Sequence, residues 1–203
     1  MGPLVAIIPV KGLARAKTRL AGMLSLDARA ALMRNTLERA VRALQTSEAV
    51  ARIVIVTRDP VVADWAKEWG VDVLRERQSG LNGALREARD TLNGAGAMLI
   101  VPGDIGLLAG NDVAAIIALA GRPPAVVIAP DRHERGTNAL LLAPPDAMDV
   151  AFGPGSARRH AALAQAAGIE PAWYRSGSIG LDVDDADDLA LYAGLRLDLH
   201  GPG

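Results

Sequence analysis

The sequence predicts an α/β fold built around a largely parallel sheet, and three observations predict it. Short apolar runs alternate with longer amphipathic stretches, the pattern of successive βα units. The first run, Leu4 to Pro9, is continuously apolar rather than alternating, as strands covered on both faces are. No linker, repeat or low-complexity segment divides the chain, so residues 1–203 read as one domain.

Taken in order, Leu4 to Pro9 is the first buried strand. Ser25 supplies an N-cap for a helix running to about Leu44, along which Met33, Leu37, Val41 and Leu44 form an apolar stripe at three-to-four spacing. Arg52 to Thr57 is the second strand, Val61 to Trp69 a helix, and Val71 to Leu74 a short third strand. Leu81 to Leu92 is helical and Ala97 to Pro102 extended. Asn111 caps a helix through Ala120, and Ala125 to Pro130 follows as a strand. Beyond it the strict alternation loosens: Asn138 to Ala143 reads as a strand, Ser156 to Ala167 as a helix, and Ile179 to Val183 as the last strand. A closing helix starts near Asp185 and ends around Leu195.

Composition removes several functional classes. The chain is 50% apolar and 22% charged, an ordinary globular balance, with a formal net charge of −1. Near-neutral charge and only 3% aromatic residues argue against a nucleic-acid surface. With no cysteine there is no disulfide, thiolate chemistry or cysteine-built zinc site. The opening apolar run is too short for a signal peptide, and nothing approaches the roughly 18 apolar residues of a membrane span. A cytoplasmic enzyme is the expectation.

The chemistry-bearing segments follow the strands. In an open α/β sheet ligands sit beyond the carboxyl ends of the strands. The first strand empties into a segment carrying Lys11, Arg15, Lys17 and Arg19 among small residues, suited to a triphosphate or equally to a solvated basic turn. Neither a Walker loop nor a GxGxxG fingerprint is present. Val101-Pro-Gly-Asp104 puts an acid at a strand end, where it either takes part in magnesium binding or caps the turn. Gly180-Leu-Asp182-Val-Asp184-Asp185 places acids at a second such point. Asp182 and Asp184 share one side if the strand continues, and Asp184 is as apt for a helix cap as for a metal.

Arg135-Gly-Thr137-Asn138 and Phe152-Gly153-Pro-Gly-Ser156 suit a small anion, the second lying before a helix with Arg158, Arg159 and His160. Ser156 is there either an anion donor or an N-cap, and His160, one turn in where exposure is open to it and no partner is visible, has no catalytic assignment. Asn82, in the turn Ser79-Gly-Leu-Asn82, reads a base edge or caps a helix.

Together these segments resemble the CofC/FbiD family, the guanylyltransferases of coenzyme F420 biosynthesis. The resemblance rests on Ile8-Pro-Val-Lys11 with Ala16-Lys-Thr-Arg-Leu20, Gly80-Leu-Asn82, Gly103-Asp104, Asp131-Arg132 with Gly136-Thr137, Phe152-Gly-Pro-Gly-Ser156 with His160, and Asp182-Val-Asp184. It spans nearly the whole chain. The Lys11 to Leu20 and Phe152 to Ser156 segments are the more specific parts.

The resemblance implies a Rossmann-like mixed, mostly parallel sheet of the nucleotide-diphospho-sugar transferase (pyrophosphorylase) type. It implies GTP as co-substrate, Mg2+ as cofactor, and 2-phospho-L-lactate, phosphoenolpyruvate or 3-phospho-D-glycerate as acceptor. Lys11, Lys17 and Arg19 would hold the triphosphate, with Lys17, Arg19 and Asp104 catalytic. Asn82 would lie near the nucleotide. Asp104 with Asp182 or Asp184 would bind metal, and Thr137, Gly153 and Ser156 the acceptor acid. The next enzyme of the pathway and a second copy of the chain, as a homodimer, are the protein partners it admits.

The chain departs from the family at Ile105-Gly106, where relatives often have Leu-Pro, which puts the local turn in question. The rivals are another nucleotidyltransferase of the same fold, forming a sugar nucleotide or a molybdopterin dinucleotide, and a non-catalytic, receiver-like nucleotide-binding domain. The LxGGxSxR loop usual in the former is absent. The latter should gather acids after its first strand, where this chain has cations.

Overall fold

A computed structural model describes residues 2–13, 17–78 and 80–200, the last five of these as backbone only. Arg15, Ala16 and Ser79, singled out above, lie outside the described residues.

The strands are β1 (Leu4–Pro9), β2 (Val50–Thr57), β3 (Asp72–Arg75), β4 (Ala97–Ile100), β5 (Ala125–Pro130), β6 (Thr137–Ala143) and β7 (Ala172–Trp173). The helices are α1 (Leu26–Gln45), α2 (Pro60–Glu68), α3 (Leu81–Asp90), α4 (Gly110–Ala120), α5 (Ser156–Ala166), α6 (Gly177–Gly180) and α7 (Ala186–His200). One seven-stranded sheet is ordered β3-β2-β1-β4-β6-β5-β7. All its pairs are parallel except those of β6, which runs antiparallel to both β4 and β5. The sheet is therefore mixed and mostly parallel.

Continuous apolar strands follow from helices on both faces. Successive side chains of a strand point to opposite sides. Leu4, Ala6 and Ile8 join Ile55, Leu99, Val127 and Leu141 under α1, α2 and α4. Val5 and Ile7 join Val54, Ile100, Ile128 and Leu140 under α3 and α5. The α1 stripe is buried as its spacing predicts: Met33, Leu37, Val41 and Leu44 all enter the first of these clusters. Ser25 Oγ accepts the Ala28 N–H, closing the N-terminus of α1.

Two expectations fail and one strand goes unanticipated, each for an identifiable reason. Asn111 does not cap α4: the N-cap is Ala109, whose N–H donates to Asp112 one turn inside. Ile179 to Val183 is not a strand. Ser176 caps the short α6, and only an isolated antiparallel bridge, Ile105 with Asp182, remains. Ile179 is buried in the core beside β5 and β6, while Leu181 and Val183 pack against Leu107 and α7; none of the three sits on a ladder. The edge strand β7, two residues long beside β5, carried too little pattern to be read.

This topology collects the chemistry. β1 and β4 end toward the Lys17 and Asp104 segments. Because β6 alone is reversed, its first residue, Thr137, starts at the same edge of the sheet. Among the described residues no helix is long and apolar enough to cross a membrane.

Candidate active site

Lys17 and the acids predicted to follow the strands meet. Lys17 sits in the left-handed region (φ 52°) just before a 3-10 turn, Thr18–Leu20, whose Leu20 is buried. That turn drives the side chain inward: Lys17 Nζ lies 3.2 Å from Asp104 Oδ2 and 3.2 Å from Asp184 Oδ1. The Lys17 side chain is 1% exposed, against 27% for Asp104 and 41% for Asp184. Burial opposes its charge, but the Asp104 and Asp184 carboxylates outweigh it and hold the ammonium above its ordinary pKa. An ammonium has three N–H donors, and two are used here.

The turn carrying Asp104 is pinned on both sides. Thr36 Oγ1 on α1 donates to the Gly103 carbonyl at 3.1 Å. Ile105 bridges Asp182, and a Cβ at Gly106 would stand 2.7 Å from the Tyr192 ring. The Ile105-Gly106 departure thus has a local reason, since the backbone packs there directly on α7. Asp182 joins the same acids: burial, then the Asp104 carboxylate, push its pKa up to about 6. Two acids flank the ammonium and the Asp182 carboxyl feels the charge of both, which leaves a shortage of positive charge. Among the described residues no three acids or histidines already form a closed metal cage. Magnesium is commonly held by one or two carboxylates with waters and substrate phosphates, so an open set of this kind suits it.

Asp184 is aimed by Asp188, an acid in the first turn of α7. Asp188 Oδ2 accepts the N–H groups of Asp184 (3.0 Å) and Asp185 (3.1 Å), while Asp185 Oδ1 caps α7. Arg132 pairs with the buried Asp188 at 2.7 Å.

A second cluster gathers around α5. Its N-cap is Gly155 in the left-handed conformation, not Ser156. Ser156, inside the first turn, donates to Thr137 Oγ1 at 3.1 Å, and Thr137 Oγ1 lies 3.0 Å from His160 Nδ1. His160, for which the sequence shows no partner and allows exposure, has partners at both ring nitrogens. The ring is fully buried, its Nε2 accepts the Ala151 N–H at 2.9 Å, and Phe152 packs edge-on against it at 4.8 Å. Burial, then the Arg159 charge, lower its pKa to about 4, so it is neutral at pH 7.

Asn82 is not the N-cap of α3 either; Gly80 is. Asn82 clasps the backbone of Phe152, accepting its N–H at 2.7 Å and donating to its carbonyl at 3.1 Å. Asn82 thus supports the Phe152-Gly153 segment, and its amide keeps a second N–H and a second oxygen lone pair beyond these two bonds. Gly153, at φ 120°, keeps that turn open. Lys11 and Arg19 are exposed and, among the described residues, have no ion-pair partner.

Asp112 was also missed. This buried acid accepts the hydroxyls of Tyr174, Ser176 and Ser178, tying α4 to the segment that leads to Asp182. Nothing local marks it, because its partners are remote in sequence. A cleft of about 970 Å³ beside α1 and Leu107–Gly110 contains none of the predicted site residues.

Solved structures share this mixed α/β fold, at whose strand ends this chain gathers its cation and acids. A Desulfovibrio desulfuricans G20 protein assigned as a nucleotide-diphospho-sugar transferase superposes with TM-score 0.77, 18% identity, and coverage of 98% of this chain and 96% of that one. A nucleotidyl transferase from Methanothermobacter gives 0.72 at 15% identity, covering 97% and 99%. The sequence defines the family more narrowly. Residues 4–203 match the family described as guanylyl transferase CofC like, and the chain belongs to it. Similar relatives include the phosphoenolpyruvate guanylyltransferase of Rubrobacter xylanophilus, 41% identical over 91% of each chain. That of Sphaerobacter thermophilus is 37% identical over 94% of this chain and 92% of its own.

Proposed function

We propose that this chain transfers GMP from GTP to the phosphate of a small phosphorylated three-carbon acid, releasing pyrophosphate, as a step of coenzyme F420 biosynthesis in the cytoplasm. Phosphoenolpyruvate is the foremost acceptor, on the names of the similar relatives. The observation that carries the reading is the buried Lys17 ammonium held between Asp104 and Asp184 at the strand ends of a CofC-family chain. The family match over 4–203 supports reading the chain as one nucleotidyltransferase domain.

A phosphate oxygen of the acid attacks the α-phosphorus of GTP. A new P–O bond forms, the bond from the α-phosphorus to the α–β bridging oxygen breaks, and its electron pair leaves with pyrophosphate. The second pKa of a phosphate monoester is about 6, so the nucleophile is already ionised and needs no general base. Catalysis then rests on positioning and charge neutralisation. Lys17 directs its remaining N–H toward phosphate oxygen, and Lys11 and Arg19 hold the triphosphate from the loop. Asp104 and Asp184, with Asp182 beside them, would hold magnesium, which when bound neutralises phosphate charge. Thr137, Ser156 and the Gly153 backbone hold the acceptor acid.

Pyrophosphate release from GTP tests this, with phosphoenolpyruvate, 2-phospho-L-lactate and 3-phospho-D-glycerate as acceptors and ATP and CTP as controls. Turnover should require GTP, magnesium and one of the acids. Asp104→Asn should lower it about 100-fold or more while the circular dichroism spectrum is retained. Near-normal magnesium-dependent turnover in that variant would sink the assignment.

A further inference from the structure

His160 is bonded at both ring nitrogens, which determines where its proton sits. A backbone N–H can only donate, so Nε2, which receives the Ala151 N–H, carries no hydrogen. A neutral ring then bears its hydrogen on Nδ1, and that hydrogen points at Thr137 Oγ1, 3.0 Å away. Ser156 Oγ also donates to Thr137 Oγ1. Three hydrogens (Nδ1–H and two hydroxyls) therefore serve two internal links. One hydroxyl hydrogen is left over. Among the described residues no carbonyl or carboxylate accepts it, although Thr137 is only 5% exposed and Ser156 only 1%. Reversing the Ser156–Thr137 link merely moves the spare hydrogen from one hydroxyl to the other.

We propose that His160 is a positioning residue: by donating from Nδ1 it commits the Thr137–Ser156 hydroxyl pair to donate outward, to an anionic oxygen of the acceptor acid. This rests on the substrate reading above and deepens it. The ring does not touch the substrate or move a proton. It occupies an acceptor site on Thr137, so the pair cannot satisfy itself internally. A buried donor without an acceptor is costly, and an ionised carboxylate or phosphate oxygen is the acceptor that relieves it best. The pocket consequently selects for an ionised oxygen at this point and against an ester or amide N–H there. Arg159, next along α5, donates its guanidinium to the carbonyls of Ala151 and Pro154, which fixes the turn that carries Ala151.

The test joins ring spectroscopy to a pair of substitutions. Nitrogen-15 histidine spectra between pH 6 and 8 should show His160 protonated at Nδ1 and not at Nε2. Phosphoenolpyruvate, added with magnesium and a non-hydrolysable GTP analogue, should shift the Nδ1–H resonance. Asparagine places an amide N–H near the former Nδ1 and loses the Ala151 contact. Glutamine offers Ala151 a carbonyl in place of Nε2 and loses the Thr137 contact. His160→Gln should weaken phosphoenolpyruvate binding by calorimetry about ten-fold, and His160→Asn less than about three-fold, whatever their melting temperatures. A purely structural role predicts instead that binding follows stability in both variants.

An Nε2-protonated ring, a ring unresponsive to all three phosphoacids, or equal effects of the two substitutions overturns the proposal even if GTP turnover is normal. Absent turnover, with the acid still bound and the ring responding, overturns the transferase reading and leaves this one standing.

Discussion

Acidification should unfold this protein partly through His160, and the size of the effect follows from its burial. In the unfolded chain a histidine titrates near 6.5; in the fold this ring is held at about 4. A depressed folded-state value means the unfolded chain takes up the proton first on acidification. The stabilisation is therefore complete above 6.5 and is lost as pH falls from there toward 4. At about 1.4 kcal/mol per unit, the loss between pH 7 and pH 5 is about 2 kcal/mol, rising to about 3 kcal/mol by pH 4. Asp182 works in the opposite direction. Its carboxyl is raised to about 6, so the folded state binds that proton first and gains stability as pH falls through 6 toward 3.8. The wild-type profile alone is thus shallow, and the histidine term must be isolated by difference. Urea unfolding of wild type and His160→Gln in EDTA at pH 7, 6 and 5 provides that difference. The stability advantage of wild type should shrink by about 2 kcal/mol from pH 7 to pH 5. An advantage constant to within about 0.5 kcal/mol would show that the ring is not held neutral by burial, and Nδ1 would no longer be fixed as the donor to Thr137.

Three further outcomes follow from named contacts. Asp112→Ala strands the hydroxyls of Tyr174, Ser176 and Ser178 and the Ala109 N–H. It should cost about 3 kcal/mol or more, a fall in melting temperature of roughly 6–12 °C by calorimetry. Asn82→Ala removes both bonds to the Phe152 backbone; stability should drop by about 1–3 kcal/mol, and steady-state kinetics should show a raised KM for the acceptor acid. Asp188→Asn loosens the Arg132 pair and the grip on the Asp184 N–H, so the magnesium concentration for half-maximal turnover should rise several-fold while the KM for the acid stays unchanged.

Local periodicity determined much of the fold from sequence alone. The apolar run of β1, the Ser25-capped stripe of α1 and the bounds of β5 all follow from burial patterns that need only neighbouring residues. The same holds for the identity of some candidate groups, because Lys17 and Asp104 follow strands and strand ends are where an α/β sheet places its ligands. Asp184 is reached through an expected strand that the fold does not form. Their convergence did not follow. Lys17 meets carboxylates 87 and 167 residues away, and a left-handed residue before a buried Leu20 turns the ammonium inward. The reversed direction of β6, invisible to strand periodicity, brings Thr137 to the strand-end edge. His160 and Asp112 looked ordinary because their partners are assembled by packing rather than by spacing. A buried polar group must find hydrogen bonds wherever the chain passes, and only the tertiary structure decides where that is.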